Sequence, residues 1–165
     1  MTPRTTVRSP TPRRAPYLIT ESLAIGPCCG AGGPSIDNLT RTGFKHIIDL
    51  NADPSEKSLS RKAGVSYYPI QTEDKLSVDS WIENIRKAVS IIEGADKHNE
   101  KVYLHCTYGV GRSPTIAMAY LVSRSWPVEA AIENVKRKAK RVWSKGNPVL
   151  KYEAVLRAYA KPFVS

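Results

Sequence analysis

The chain has 165 residues, of which 41% are hydrophobic and 24% charged, and these values suit one globular domain with its own core. No apolar run approaches membrane-spanning length and the first residues lack the apolar segment of a secretory signal, so we expect no membrane insertion and a cytoplasmic location. Three cysteines, two of them adjacent, exclude a disulfide framework, and the net charge of +10 is concentrated in an acid-free N-terminal arm and in residues 136–141, where five of six residues are basic.

The first half of the chain alternates short apolar runs with turns. Residues 1–16 are rich in proline, threonine, serine and arginine and offer little to bury, so we expect a mobile arm followed by a single domain over residues 17–165. Ser35 can cap a short helix, and residues 51–64 form a polar connection that is in part helical. The strands predicted here are "YLIT" at 17–20, "LAIG" at 23–26, "FKHIIDL" at 44–50 and "VSYYPI" at 65–70.

Helices dominate the second half. Over residues 78–97 apolar side chains recur every three or four positions, which predicts a long amphipathic helix. The run "VYLHC" at 102–106 predicts a buried strand, and the almost wholly apolar "TIAMAYLVS" at 115–123 predicts a central helix. Two further helices are expected after Pro127 and after Pro148. Strands that alternate with helices predict a single-domain α/β fold, in which helices flank a largely parallel sheet of four to five strands.

The loop between the last predicted strand and the helix after it carries the most specific chemical signal. Gly109 and Gly111 permit backbone conformations in which successive N–H groups turn inward as an anion nest. Pro114 suits a first helical turn, so the positive end of the helix dipole points into the loop. Arg112 adds a planar fork that matches two oxygens of a phosphate. The loop is therefore predicted to hold a tetrahedral oxyanion beside Cys106.

Cys106 stands at the mouth of this nest. The inward N–H groups, the helix N-terminus and Arg112 all favour a thiolate, so we expect the pKa of Cys106 to lie below that of an ordinary thiol. A thiolate beside a bound phosphate is an in-line nucleophile. The alternative is a buried structural cysteine at the end of a strand. The ordered set of strand, cysteine, five residues, arginine, serine and helix favours the nucleophile.

The segment "HCTYGVGRS" at 105–113 resembles the His-Cys-x5-Arg-Ser/Thr signature of the cysteine-based phosphatases. From about Tyr17 to Tyr159 the wider pattern is similar to their compact dual-specificity branch, with "IIDL", "YYPIQTED" and "HCTYGVGRSPTIAMAYLVS" in comparable places. The resemblance implies a dual-specificity phosphatase-like fold. It also implies a protein phosphatase that hydrolyses phosphotyrosine, and phosphoserine or phosphothreonine, through a phosphocysteine intermediate.

The same resemblance implies a role for each residue of the signature. Cys106 is then the nucleophile, Arg112 the phosphate clamp, and Ser113 the hydroxyl that helps to release the phosphocysteine. His105 is a buried orienting residue and not a base. The residues implied to bind the substrate phosphate are Thr107, Tyr108, Gly109, Val110, Gly111 and Arg112.

Cleavage of a phosphate monoester also needs a proton for the leaving oxygen, and one carboxyl group can supply it. The segment "QTEDKLS" at 71–77 follows a predicted strand and lies at the same sheet edge as Cys106 if the strands are parallel. Asp74 precedes Cys106 by 32 residues (106 − 74), which resembles the spacing of the general acid in dual-specificity phosphatases. Asp74 is therefore the predicted acid, with Glu73, Asp79 and Asp53 as alternatives.

Two alternatives to a protein phosphatase remain open. The first is a phosphatase of a phosphoinositide, a phosphoglucan or an RNA 5′ phosphate drawn in by the basic surface. Residues 107–111 contain no lysine, unlike the loops of phosphoinositide phosphatases, which carry extra positive charge. The second is a non-catalytic phosphate-binding module, against which the intact set of Cys106, Arg112 and Ser113 argues, since binding alone does not need a thiolate.

No cofactor and no metal ion are expected. Cys28 and Cys29 are candidate metal ligands with His46 or His98, but no Cys-x2-Cys spacing supports a site, and we interpret them as loop residues. The basic residues 136–141 could attract acidic partners or RNA, although a solvated helix face is the commoner explanation, and nucleic-acid binding is not expected. The expected partners are phosphorylated protein substrates, and we expect a monomer.

Overall fold

The computed structural model describes residues 16–30, 33–107, 109, 111–139 and 152–163. The predicted N-terminal arm, apart from its last residue, and the segment just after Pro148 lie outside the described residues. Within the described ranges, no helix combines the length and the apolar character that crossing a bilayer requires.

Five strands form one sheet, as the sequence predicts. They are β1 (Tyr17–Leu18), β2 (Leu23–Gly26), β3 (Phe44–Asp49), β4 (Ser66–Pro69) and β5 (Lys101–His105). In the order β1-β2-β5-β3-β4, the β1–β2 pair is antiparallel and every other neighbouring pair is parallel. The four parallel strands therefore end at one edge of the sheet, and β5 lies in its centre.

The helices lie close to their predicted places. They are α1 (Ile36–Arg41), α2 (Pro54–Ala63), α3 (Val78–Lys97), α4 (Arg112–Ser123), α5 (Val128–Ala139) and α6 (Glu153–Ala160), the last followed by a 3-10 turn, Lys161–Phe163. Ser35 caps α1, because its hydroxyl accepts the N–H of Asn38 at 3.1 Å. The bounds of α3 match the predicted helix.

Helix α2 is more regular than the sequence indicates. The sequence predicts a polar connection that is in part helical over residues 51–64, and the structure has a helix of ten residues there. Asp53 provides the N-cap by accepting the N–H of Ser55 at 2.9 Å, and Pro54 fits the first turn. The buried residues of α2 are Glu56 and Ser60, so polar side chains face the interior and hydrophobic periodicity has no signal to offer.

Two apolar layers enclose the sheet, which makes the fold an α/β sandwich. Successive residues of β5 face opposite sides: Leu104 joins the layer that holds α3 to α6, and Tyr103 joins the layer that holds α1. Helix α4 is buried from Ser113 to Val122, which confirms its predicted central position. The central strand and the central helix therefore form a rigid base for the loop between them.

Candidate active site

The predicted functional residues meet at the carboxyl edge of the sheet. The register pairs His105 at the end of β5 with Gly26 on β2 and with Asp49 on β3, and Asp49 in turn with Pro69 on β4. Because these strand ends are aligned, the segments that follow them lie side by side. Cys106 follows β5 directly, so it lies at this edge as predicted.

The loop after β5 leads straight into α4. Cys106 is only 3% exposed and forms the floor of the loop. Helix α4 begins at Arg112, two residues before Pro114, so Arg112 and Ser113 belong to its first turn, where N–H groups have no intrahelical partner. This arrangement gives the loop the positive helix end that the sequence predicts.

Gly109 is the residue that fixes the path of the loop. Its φ is +69°, and an added Cβ would lie 2.5 Å from the carbonyl carbon of Gly26, so both conformation and space require glycine. The hydroxyl of Tyr17 on β1 donates a hydrogen bond to the Gly109 carbonyl at 3.2 Å. The loop is thus packed against β1 and β2. Two predicted phosphate-binding residues, Tyr108 and Val110, lie outside the described residues.

The environment of Cys106 favours its charged form. Burial opposes ionisation, yet the pKa of Cys106 is lowered, because the hydroxyl and the backbone N–H of Ser113, the charge of Arg112 and the N–H of Gly109 stabilise the thiolate. The Ser113 hydroxyl is fully buried and has no hydrogen bond of ordinary geometry among the described residues, so it acts through its proximity to the sulfur. A buried thiol with a lowered pKa is the expected state of a nucleophile.

Neighbouring loops fix the orientation of Arg112. Its Nη1 donates to the carbonyl of Thr72 at 2.9 Å, and its Nη2 donates to Asn51 Oδ1 at 3.0 Å and to Thr107 Oγ1 at 3.1 Å. Asn84 on α3 supports this network, since its Nδ2 donates to Thr72 Oγ1 at 3.1 Å. The guanidinium is therefore held in one position before any phosphate binds.

His105 is buried beneath the loop, as predicted. Its Nε2 lies 2.5 Å from Glu56 Oε1 and 3.8 Å from Asp49 Oδ1, and its Nδ1 lies 3.3 Å from the carbonyl of Cys106. Burial alone would lower the pKa of His105, but the Glu56 carboxylate, assisted by Asp49, raises it. A protonated imidazole donates from both nitrogens, so His105 ties the backbone at Cys106 to α2.

One cluster near the loop has the composition of a metal site. Cys29 Sγ, a Glu56 carboxylate oxygen and a His105 nitrogen lie within 4.8 Å of one another. Burial, followed by the neighbouring Glu56 carboxylate, raises the pKa of Cys29, so without a bound cation this thiol keeps its proton. In the structure, Glu56 is within hydrogen-bonding distance of His105 Nε2 and also faces the Cys29 thiol. His46 and His98, the partners considered for the cysteines, do not belong to it.

Within the described part of the chain, the side chain of Tyr152 joins Asp74 to the loop. It is exposed, in the turn between β4 and α3, and its Oδ1 accepts a hydrogen bond from the hydroxyl of Tyr152. The ring of Tyr152 in turn borders Gly111, where an added Cβ would lie 2.9 Å from the ring atom Cε2. Asp74 and Gly111, in the loop between β5 and α4, therefore both lie next to the side chain of Tyr152.

The alternative acids have other surroundings. Glu73 accepts a hydrogen bond within its own loop at 2.8 Å. Asp53 caps α2, and hydrogen bonds from Ser55 lower its pKa, which suits a carboxylate more than a proton donor. Asp79 lies exposed in the first turn of α3. Among these four candidates, the described contacts connect Asp74 to the edge of the loop.

Comparison with protein families agrees with the predicted signature. A family model described as "Dual specificity phosphatase, catalytic domain" matches residues 31–159, which is more than half of the chain. The chain belongs to the dual-specificity phosphatase family.

Three similar proteins show how this chain relates to members of the dual-specificity phosphatase family and to related proteins. Dual specificity protein phosphatase 6 from Homo sapiens is 32% identical over 116 residues, which cover 66% of this chain and 28% of that protein. The "Phosphatidylglycerophosphatase and protein-tyrosine phosphatase 1" of Mus musculus is 28% identical over 118 residues, which cover 64% of this chain and 61% of that protein. The crystal structure of human DUSP28 has a TM-score of 0.72 at 20% identity, covering 95% of this chain and 98% of that chain, and supports the fold.

Four residues around this dual-specificity phosphatase loop were not found from the sequence. Asn51 and Thr72, which hold Arg112, follow β3 and β4 at the same edge as Cys106, and a polar residue just after a predicted parallel strand is a usable signal. Glu56 and Tyr152 have no such signal, because each comes from a segment that only the folded chain brings to the loop.

Cys106 should be the thiol that alkylates at mildly acidic pH. The pKa is lowered at Cys106 and raised at Cys28 and Cys29, so as the pH falls below the ordinary thiol value the thiolate persists at Cys106 alone. At about pH 6.5 we expect iodoacetamide to label Cys106 at least about 10-fold faster than either other cysteine. Peptide mass spectrometry over time measures this, and inorganic phosphate should slow labelling of Cys106 only. Faster labelling of Cys28 would contradict the lowered pKa.

Glu56→Ala should reduce the free energy of unfolding by about 3 kcal/mol, because it leaves a buried imidazole without its partner. The pKa of His105 is raised, so the pair stabilises the fold fully below the ordinary histidine value, and this contribution is lost as the pH rises through the raised pKa. The loss should therefore be larger at about pH 6 than at about pH 9 in urea denaturation.

The control for this stability measurement is Glu83→Ala. Glu83 forms an exposed ion pair with Lys87 at 3.1 Å, and its loss should cost less than about 1 kcal/mol. Equal effects of the two substitutions would show that the buried pair does not stabilise the fold.

Proposed function

We propose that the chain hydrolyses the phosphate monoesters of phosphotyrosine, and of phosphoserine or phosphothreonine, in proteins. The observation that carries the proposal is the Cys106 thiol, whose pKa is lowered by Ser113, Arg112 and the loop N–H groups against the effect of burial. These groups stabilise a charged sulfur where an anion nest would hold a phosphate. Family membership supports the same reaction class.

In the proposed first step, the Cys106 thiolate attacks the phosphorus of the bound monoester. A sulfur–phosphorus bond forms while the bond between phosphorus and the leaving oxygen breaks. Arg112 and the N–H groups at the start of α4 stabilise the charge on the equatorial oxygens. Asp74 gives its proton to the leaving oxygen, so the product residue departs as a neutral hydroxyl.

In the proposed second step, water attacks the phosphocysteine and gives a proton to the Asp74 carboxylate. The sulfur–phosphorus bond breaks, inorganic phosphate leaves, and the Cys106 thiolate returns. The buried Ser113 hydroxyl, which favours the thiolate in the resting protein, stabilises the departing sulfur in this step. Water is the only co-substrate, and each proton is accounted for by Asp74.

The relatives suggest two substrate classes. Dual specificity protein phosphatase 6 is a protein phosphatase by name, whereas the mouse relative is named as both a phosphatidylglycerophosphatase and a protein-tyrosine phosphatase. From Cys106 to Ser113, Arg112 is the one cationic residue of the sequence, which suits a single phosphate group. We therefore propose a phosphoprotein as substrate and treat a lipid as the second candidate.

The test is a substrate panel that measures released phosphate. It compares phosphotyrosine and phosphoserine peptides with phosphoinositide vesicles, a phosphoglucan, a 5′-phosphorylated RNA and a simple aryl phosphate. We expect kcat/KM for the phosphotyrosine peptide to exceed that of each non-protein biological substrate at least about 10-fold, a difference of about 1.4 kcal/mol in transition-state stabilisation. Acid quenching during turnover should trap phosphate on Cys106.

Each outcome of the panel has one meaning. Preference for a lipid, glucan or RNA would overturn the substrate class and leave the cysteine mechanism standing. Turnover without phosphate on Cys106 would overturn the intermediate. Phosphate binding without turnover of any ester, including the aryl phosphate, would identify a binding module.

The domain limits, oligomeric state, location and partners are also proposals. We propose that residues 17–165 form the catalytic domain and that residues 1–16 are an arm. We propose that the chain acts as a monomer in the cytoplasm, and that acidic partners contact its basic surface, which includes Lys136, Arg137 and Lys138 at the end of α5. Since the aligned residues cover only 28% of the human relative's length, these proposals apply to the 165 residues of this chain alone.

A further inference from the structure

Tyr152 links two parts of the site although it lies far from both in the sequence. It stands immediately before α6 and is 7% exposed. Its ring packs against Trp81 on α3, with ring centroids 5.0 Å apart and an angle of 40° between the planes. Trp81 is itself 1% exposed, so the ring rests on a buried and rigid base.

The same ring borders the loop between β5 and α4, which is called the phosphate loop because we propose that it binds the substrate phosphate. A Cβ added to Gly111 would lie 2.9 Å from Tyr152 Cε2, so any larger residue at this position would force the ring or the loop to shift. Gly111 is the N-cap residue of α4 and directly precedes Arg112. A shift of the ring would therefore move the point at which the loop enters the helix.

The hydroxyl of Tyr152 points to Asp74 and donates a hydrogen bond to its Oδ1. Burial first, and then this hydrogen bond, raises the pKa of Tyr152, while Arg112 lowers it and Cys106 raises it. Among the described residues, Asp74, Arg112 and Cys106 are charged or titratable groups that act on the phenol. The phenol keeps its proton at neutral pH and remains a donor.

We propose that Tyr152 is a positioning residue for the proton donor, which holds the Asp74 carboxyl group against the phosphate loop at Gly111. The inference rests on the proposed function, in which Asp74 protonates the leaving oxygen. Asp74 is exposed in a turn, and a hydrogen bond to an exposed carboxyl group reduces the number of positions that this group samples. A donor that is already fixed does not have to lose conformational entropy when the transition state forms.

The experiment uses Tyr152→Phe, which keeps the ring against Trp81 and Gly111 and removes only the hydroxyl. We expect kcat on a phosphoserine peptide to fall about 10- to 100-fold, because its leaving alkoxide depends on a well-placed proton. On p-nitrophenyl phosphate, whose leaving phenolate needs little protonation, kcat should fall less than about 3-fold. Protection of Cys106 from iodoacetamide by inorganic phosphate should persist, which reports an intact loop.

A double substitution separates positioning from a structural role. In the Asp74→Ala background, Tyr152→Phe should change kcat on the phosphoserine peptide by less than about 2-fold, because its target is already gone. Tyr120→Phe is the matched control: the Tyr120 hydroxyl also donates to an aspartate, Asp96, which lines a cavity with Ser22 and Trp126. Tyr120→Phe should leave both substrates within about 2-fold of the parent.

The outcomes distinguish this inference from the proposed function. An equal loss on both substrates, or a further loss in the Asp74→Ala background, would assign Tyr152 a structural role and overturn the inference while the phosphatase function stands. Unchanged rates in Tyr152→Phe would overturn it as well. A parent protein that turns over no phosphate ester would overturn the proposed function itself, and the inference with it.

Discussion

Cys106→Ser should lower the turnover of phosphopeptides by about 10⁴-fold or more. A serine hydroxyl ionises far less readily than a thiol, so the hydrogen bonds and charge that lower the pKa of Cys106 cannot produce a comparable nucleophile there. The phosphate-binding groups remain, because Arg112 is held by Asn51, Thr72 and Thr107 and not by the sulfur. Phosphopeptide affinity, measured by fluorescence anisotropy, should therefore be retained while phosphate release disappears.

The control is Cys28→Ser, which makes the same chemical change at a half-buried cysteine next to the loop. Among the described residues, the backbone N–H of Cys28 donates a hydrogen bond to the carbonyl of Thr107 in the loop at 3.2 Å, and the substitution preserves this bond. Its rate should stay within about 3-fold of the parent. Substantial turnover by Cys106→Ser, or equal losses in the two variants, would contradict the assignment of the nucleophile.

Asp74→Ala should lower kcat on phosphopeptides by about 10²- to 10⁴-fold, the usual contribution of general acid catalysis. Substrate affinity should hold or tighten, since a negative charge leaves the edge of the site. The acidic limb of the kcat/KM profile should remain, because the thiolate still has to form, and the basic limb should flatten. A substrate whose leaving group needs little protonation should lose less than phosphoserine, whose alkoxide is strongly basic.

The same measurements on Asp79→Ala and Glu73→Ala provide matched controls, because both carboxylates are exposed near Asp74. Neither should alter the basic limb. If Asp79→Ala or Asp53→Ala shows the pattern expected for Asp74→Ala, the cysteine mechanism survives with a different acid. If no carboxylate changes the profile, the proton donor lies elsewhere.

The sheet and most helices could be predicted from the sequence because their apolar residues repeat with the period of the element. The helix at 78–97 and the buried strand that ends at His105 are the clearest cases. Helix α2 is harder to predict because its buried residues, Glu56 and Ser60, are polar and give no apolar period. Its caps, Asp53 and Gly64, are the main sequence signal for its extent.

In the candidate site, the residues that are close in sequence could be predicted, and those that orient them, which are distant in sequence, could not. Cys106, Arg112 and Ser113 are close in sequence, so their spacing and the strand–loop–helix context were sufficient to predict their proximity. The residues that orient them are distant: Asn51 lies 61 positions from Arg112, and Tyr152 lies 78 positions from Asp74. Each of these contacts depends on tertiary packing of polar residues in loops, for which no local periodicity exists.

The packing of the phosphate loop on β1 and β2 decides how short a working piece of this sequence can be. The family match begins at residue 31, after both strands. A fragment trimmed to residues 31–159 would keep every side chain assigned to the chemistry, yet it would expose the edge of the central strand β5 and remove the Tyr17 hydroxyl and the Gly26 backbone from Gly109. A low activity of such a fragment would therefore reflect the loss of the residues that pack against the loop, and it would not measure the catalytic activity of Cys106, Arg112 and Asp74.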